Sequence, residues 1–342
     1  KAGAVMGTVG VSTTTVNVTE SNNTVTSGGA AVDRIYGRFG SDGSTLSITG
    51  GSYSATASGF VDPDAKNNTL VISGGTFASE PPAKFIAEGF TATANLDGTY
   101  SVGEAPVVAK IGDVEYKDLA KALQAAAATK GDVTVDIIAD IDLKGAEWPE
   151  IKVDGAAGAG LVTVRGNNHT VKGLTGPLFS TTWAGKSGLV IKDLTIADSN
   201  IVKDENDSAG TVGVGAFIGY PSASETITLS NCHLVNSSVK GGHWTGGLIG
   251  IAGGYGGAGS VHMDLTINGC SVVGSRISGA GSVGGIIGHA INDANTVETI
   301  NATVTGNTIT STGSSKIKAG AVMGTVGVST TTVNVIENNN TV

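Results

Sequence analysis

TITLSNCHLV (226–235) and DLTINGCSVV (264–273) decide the fold. In each, apolar and polar residues alternate over a short run that ends in Gly, Asn or Ser. A period of two bounded by turn residues reads as a β-strand with one buried face. GGLIG (246–250) lies between the two runs and GGIIG (284–288) follows the second. Further runs flank them as LVIKDLTI (189–196) and INATVTGNTI (300–309). Further Gly–small–apolar–apolar–Gly pentapeptides are GAFIG (215–219), GAVMG (320–324) and GAVMG (3–7), with GPLFS (176–180) as a degenerate earlier copy. From GPLFS onward, successive copies up to residue 324 stand 39, 31, 38 and 36 residues apart at their last position.

Strands that recur at such a spacing with no helix between them predict an all-β chain, wound as a parallel β-solenoid. A turn of ~37 residues would climb one inter-strand spacing of about 4.8 Å. Equivalent residues would then stack. A constant offset puts Ile191, Leu229, Ile267, Val304 and Val335 in an aliphatic column. It puts Leu194, Cys232, Cys270, Asn307 and Asn338 in a second column that ends as an Asn ladder, whose amides can hydrogen-bond along the stack. The turn glycines Gly219, Gly250, Gly288 and Gly324 are expected to admit close approach of neighbouring backbone, so that a β-branched replacement would clash. LSITGGSYS (46–54) and LVISGGTFA (70–78) form a shorter aligned pair that sets Tyr53 over Phe77.

A longer repeat encloses these. Residues 1–25 return at 318–342 with two differences, Thr19 against Ile336 and Ser21 against Asn338, at an offset of 317 residues. The expectation is a window from a tandem array of large units. Residues 1–103 would be the C-terminal part of one unit and 133–342 the front of the next. The stretch 104–132 changes character. Leu119, Leu123 and a run of alanines predict a short capping or joint helix over 117–129, closed by Gly131.

Composition restricts function. Glycine is abundant, at 53 residues, and only 14% of residues are charged, with a net charge of −9. No basic stripe exists to neutralise phosphates, which excludes nucleic acid as a partner. No segment approaches the ~20 continuous apolar residues of a membrane-spanning helix. Two cysteines do not make a disulfide framework. An acidic, Asn/Thr/Gly-rich repeat with few cysteines fits an extracellular surface protein.

The pentapeptides, each followed by polar residues and an alternating run, resemble the GLUG motif of bacterial surface proteins. AEWPEIKV (146–153) with VTVRGNNHTVKGLTGPLFS (162–180) resembles the opening of β-helix domains that accompany that motif. LVISGGTFASEPPAKFIAEGFTATANLDGTYSV (70–102) is similar to a segment of large repetitive surface proteins of gut Firmicutes. The resemblance implies a secreted or wall-attached, right-handed parallel β-helix. It supplies no catalytic residues, because the motif is structural.

Several groups are candidates for chemistry. Asp140 and Asp142 share a strand face at the ~7 Å of an i, i+2 pair. That spacing suits a glycosidase carboxylate pair or two surface carboxylates at a strand end. Cys232 and His233 point to opposite faces and so cannot act as nucleophile and base. Cys232 over Cys270 reads as a buried thiol column. KDENDS (203–208) is either a solvated insertion or a Ca²⁺ loop lacking the usual spacing. Trp244 with Tyr220 and Tyr255, beside His243, would form an aromatic platform for a glycan, whereas Trp148 and Trp183 read as packing residues. Thr-rich runs such as VSTTTVNV (328–335) do not repeat from turn to turn on this alignment, which argues against a regular Thr face.

These observations predict a non-enzymatic structural repeat of an extracellular fibre, stalk or adhesin. It would need no cofactor or metal. Its partners would be neighbouring copies of itself, joined in tandem or end to end, and host or environmental glycans. The alternative is a glycan-binding or polysaccharide-degrading β-helix.

Overall fold

A computed structural model describes residues 15–18, 45–53, 69–153, 160–182, 188–203, 213–221, 225–252, 263–290, 297–312, 318–326 and 330–342. The chain is mostly β and divides into two compact units, Lys1–Pro106 and Val107–Val342.

In the first unit, β1 (Thr15–Val18), β2 (Thr45–Tyr53) and β3 (Thr69–Phe77) pair in parallel, with Val18, Ile48 and Ile72 in register. Then β4 (Phe90–Ala94) and β5 (Tyr100–Glu104) form a hairpin, and β5 pairs antiparallel with β3. The alternation in β3 is visible in its burial, with Leu70, Ile72 and Phe77 inside. Tyr53 lies opposite Phe77, its ring stacked at 5.0 Å, and its hydroxyl donates to Gly50 O at 2.9 Å.

The second unit opens with the hairpin of β6 (Ala109–Ile111) and β7 (Val114–Tyr116), followed by helix α1 (Leu119–Ala128) and β8 (Val133–Ile137). The helix begins two residues later than the sequence predicts because Asp118 acts as its N-cap, accepting from the N–H groups of Ala120 and Lys121. It ends at Thr129, ahead of the left-handed Gly131. Its apolar side, led by Leu119, Leu123 and Ala126, is buried against β6, β8 and β10 (Lys152–Val153). Between them runs β9 (Ile141–Asp142). The helix therefore belongs to the second unit.

Next come β11 (Leu161–Lys172) and β12 (Phe179–Thr182). From there the chain repeats one sequence of elements: a long strand and three short ones. The first set is β13 (Gly188–Ala197), β14 (Asn200–Val202), β15 (Gly213–Val214) and β16 (Ile218–Pro221). The second is β17 (Glu225–Val235), β18 (Ser238–Lys240), β19 (Trp244–Gly246) and β20 (Ile249–Ala252). The third is β21 (Met263–Val273), β22 (Arg276–Gly279), β23 (Ser282–Gly284) and β24 (Ile287–Ala290). The fourth is β25 (Val297–Thr305), β26 (Thr308–Ser311), β27 (Lys318–Gly320) and β28 (Met323–Val326), after which comes β29 (Thr330–Asn338).

Each strand pairs in parallel with its equivalents in the preceding and following sets, which makes four sheets. The long-strand sheet runs β11–β13–β17–β21–β25–β29, and β8 and then the antiparallel β6–β7 hairpin continue it beyond β11. Inward residues of all four sheets meet in one apolar core.

The register confirms part of the expected stacking and corrects the rest. Val164, Ile191, Leu229, Ile267, Ile300 and Val333 form one column. Val304 stands instead in the column of Val171, Ile196, Leu234 and Val272, and Val335 lies opposite Ala302 in the column below Cys270. Asn307 and Asn338 leave the cysteine column altogether. The physical reason is a bulge. Asp193, Asn231 and Gly269 each occupy a left-handed position within their strands (φ 55°, 53° and 65°). β25 has no such residue, so the register shifts between Asn268 and Cys270, and a constant offset overshoots.

Candidate functional site

Three internal ladders and one outward face carry the side chains in which a function could reside. The first ladder is the glycine face. GPLFS, GAFIG, GGLIG, GGIIG and GAVMG stack in register, with Phe179, Ile218, Ile249, Ile287 and Met323 in line. The final glycine of each lies against backbone. A Cβ on Gly250 would sit 2.1 Å from Val214 N, and one on Gly288 2.5 Å from Thr245 N. On Gly219 it would meet Ser180 O at 2.5 Å, and on Gly324 Gly288 O at 2.5 Å. Any side chain there displaces the main chain of a preceding repeat, as the sequence predicts.

The second ladder was not foreseen. At the corner after each long strand, Gly173, Asp198, Asn236, Gly274, Gly306 and Asn339 all have positive φ. The next residue in each repeat is Leu174, Ser199, Ser237, Ser275, Asn307 and Asn340. Their backbones and side chains join the repeats. Leu174 N donates to Ser199 Oγ (3.1 Å), Ser199 N to Ser237 Oγ (3.1 Å) and Ser237 N to Ser275 Oγ (3.1 Å). Ser275 N donates to Asn307 Oδ1 (2.8 Å) and Asn307 N to Asn340 Oδ1 (3.0 Å). Each serine hydroxyl donates in turn to a carbonyl two residues earlier. The signal is present in the sequence as DSNI (198–201), NSSV (236–239), GSRI (274–277) and GNTI (306–309). The common pattern is a residue tolerant of positive φ, a small hydrogen-bonding residue, any residue, then an aliphatic one.

The third ladder is the thiol pair. Cys232 and Cys270 are free and buried. Cys232 N donates to Cys270 Sγ at 3.4 Å, and Cys232 Sγ donates to Ile191 O at 3.3 Å. The hydrogen bond with Cys270, together with burial, pushes the Cys232 thiol well above the usual thiol range. A protonated, enclosed thiol is not a nucleophile. His233, on the opposite face, bonds Ser271 Oγ through Nδ1 (2.8 Å) and Asn231 Oδ1 through Nε2 (3.0 Å).

The outward face of the long-strand sheet is more regular than the sequence alignment allowed. Thr134, Thr163, Val190, Thr228, Thr266, Thr299 and Thr332 form one column. Ser230, Asn268, Asn301 and Asn334 form the next. Asn334 Nδ2 donates to Asn301 Oδ1 at 2.9 Å, and Asn301 Nδ2 to Asn268 Oδ1 at 3.4 Å. Threonine does recur from repeat to repeat. The bulge that moved the inner columns had hidden it.

The remaining candidates resolve differently. Trp244 and Tyr220 are buried with Ile251, at 6% and 8% exposure. His289 stacks on Trp244 at 5.4 Å and His243 meets it edge-on at 5.2 Å. These rings pack, where the sequence reading had them as an open sugar platform. The Gly-rich backbone beside them leaves a hollow that large rings fill. Tyr255 and Trp183 lie outside the described residues, as do positions 204–208 of KDENDS, while Trp148 is buried in the core. Asp140 accepts from Thr170 N (2.9 Å) and His169 Nδ1 (3.1 Å), and these hydrogen bonds hold its carboxyl below the usual range. Asp142 accepts from Lys144 N at 2.8 Å. Both carboxylates fix turns, and neither has the raised pKa of a general acid. No group of three metal-ligating side chains occurs among the described residues, and no helix is long and apolar enough to cross a membrane.

Compared with protein-family models, curated proteins and solved structures, the chain finds no match.

Proposed function

We propose that this chain is a non-enzymatic structural repeat, a right-handed parallel β-helix whose stacked turns make a stiff spacer in an extracellular bacterial fibre, stalk or adhesin. The observation that carries it is the parallel register running unbroken in order through β11, β13, β17, β21, β25 and β29. Stacked strands resist bending because every turn is hydrogen-bonded to the next, and the buried Ser/Asn ladder adds a second line of such bonds. The described ionisable groups serve as turn caps, ion pairs or buried thiols. The GLUG-like pentapeptides place the chain with bacterial surface proteins, and the 317-residue sequence repeat points to a tandem arrangement. At about 4.8 Å per turn, each repeat would add roughly 40 Å of length. Partners would be copies of the same repeat.

Spin labels at Thr163 and Thr332, five strand steps apart, should lie ~24 Å from each other, and electron microscopy of native material should show filaments of uniform width. A label distance far from that value, or particles without an elongated form, would overturn the reading.

A second reading has its own observation. The Thr and Ser/Asn columns present hydroxyl and amide groups at about 4.8 Å intervals along the stack and about 7 Å across it. Such a lattice would bind a flat, repeating hydroxylated surface such as a crystalline polysaccharide by multivalency. Retention on insoluble cellulose or chitin, lost on changing Thr228, Thr266 and Thr299 together to lysine, would favour it. Equal retention of the variant would sink it.

A further inference from the structure

The two copies of the repeated 25 residues use their strand differently. In the second copy, β29 pairs with β25, Thr332 opposite Thr299 and Asn334 opposite Asn301. It ends its sheet, so among the described residues it has one unpaired edge. In the first copy, the same four residues, TVNV, form β1 and pair with β2. Thr15 faces Thr45, Val16 faces Leu46, Asn17 faces Ser47 and Val18 faces Ile48. One sequence thus shows two neighbours: the strand that precedes it in a stack and the strand that follows it.

The ends of the two parallel runs complement each other. In the second unit, the parallel run is closed at its β8 end by the antiparallel β6–β7 hairpin and by α1, and is open at β29. In the first unit, the run is open at β1 and closed beyond β3 by the antiparallel β5–β4 hairpin. Each has one finished end and one bare end, and the bare ends carry the same strand. The exposure of Ile336, at 70%, marks the bare end of the second unit. An exposed parallel edge with a matched pattern is a template for strand addition.

We infer that the open edge of β29 is a docking site for the β2–β5 segment of a second copy, in the register that β1 already shows. Resting on the tandem-spacer reading, this gives Thr332 opposite Thr45, Val333 opposite Leu46, Asn334 opposite Ser47 and Val335 opposite Ile48 of the partner copy. The complete stack then runs from the α1 cap of one copy to the β4–β5 hairpin of the next. Its boundary falls at Pro106/Val107, not at the ends of the repeated 25 residues. Ser47 extends the outward Asn column, and Ile48 extends the inward column of Ala302 and Val335.

The test is the full chain extended after Val342 by a second copy of residues 26–106. Hydrogen exchange of the β29 amides is compared with and without the extension. Pyrene labels are placed through Asn334→Cys and, in the appended copy, Ser47→Cys; the native thiols are buried and stay unlabelled. Docking should slow β29 exchange by at least about tenfold, with β13 and β17 unchanged, and should give excimer emission. Unchanged β29 exchange overturns the inference, and so does protection without excimer, which would mean another register. The Thr163–Thr332 label distance, measured in the same chain, separates the two claims. A distance of ~24 Å with an unprotected β29 leaves the spacer standing and removes only the docking.

Discussion

Gly250 illustrates how single positions carry this structure. The absence of a Cβ there lets the main chain at Gly213–Val214 pass within 2.6 Å of the space that Cβ would fill. Gly250→Val should cost about 3 kcal/mol or more, since backbone cannot yield as a side-chain tip does. Gly103→Ala, with nothing within 4 Å of the added atom, should change stability by no more than about 0.5 kcal/mol. Urea unfolding of the two variants checks both. Tyr53 offers a pH-dependent case. Burial pushes its phenol up to about 12 from 10.0. The neutral form is favoured in the folded state, so this contribution is complete below pH 10 and is lost as the pH rises toward 12. Tyr53→Phe should flatten that alkaline loss while giving up the hydrogen bond to Gly50 O. Urea midpoints measured across that range should show the difference. An identical alkaline slope in the variant would assign the loss to another group.

At the scale of elements, the corner after each long strand matters as much as the strands. A strand pair needs only backbone to bond, but a corner leaves N–H groups pointing along the stack. The Ser/Asn ladder receives them in a buried setting, where an unmet donor costs about 1–3 kcal/mol. Ser237→Ala removes the acceptor for Ser199 N and the donor to Val235 O. It should lower stability by about that amount and speed exchange of the Ser199 amide. No change in that amide would show the ladder to be incidental. The strands themselves were legible, because period-two alternation follows directly from side chains pointing alternately to either face. The pentapeptides were legible for the same reason: backbone contact forbids anything but glycine at their ends. The bulge at Asp193, Asn231 and Gly269 was not. A residue that adds length without adding to the ladder leaves composition unaltered and only shifts register. That is why Val304, Val335 and Asn307 were assigned to the wrong columns, and why the Thr face went unseen.

At the scale of the molecule, stability should be graded along the stack. β17 is paired on both edges, by β13 and β21, whereas β29 is paired on one. Amides of β29 should exchange by fraying, and those of β17 only by larger openings, a difference of at least about tenfold. Equal protection in the two strands would mean that β29 is already covered in solution. The buried thiols follow the same order: Cys232 and Cys270, from the middle of the stack, should resist thiol reagents until the second unit unfolds.

The amino-acid sequence by itself determined the strand content, the repeat spacing, the glycine positions and the 317-residue duplication, because each is a local or self-matching pattern. Which residues stand on one another was settled only by the tertiary structure. So were the burial of Trp244 and Tyr220 and the difference between the finished and bare ends. These depend on register and on which edge finds a partner, and a register is a relation between distant segments that no single segment encodes.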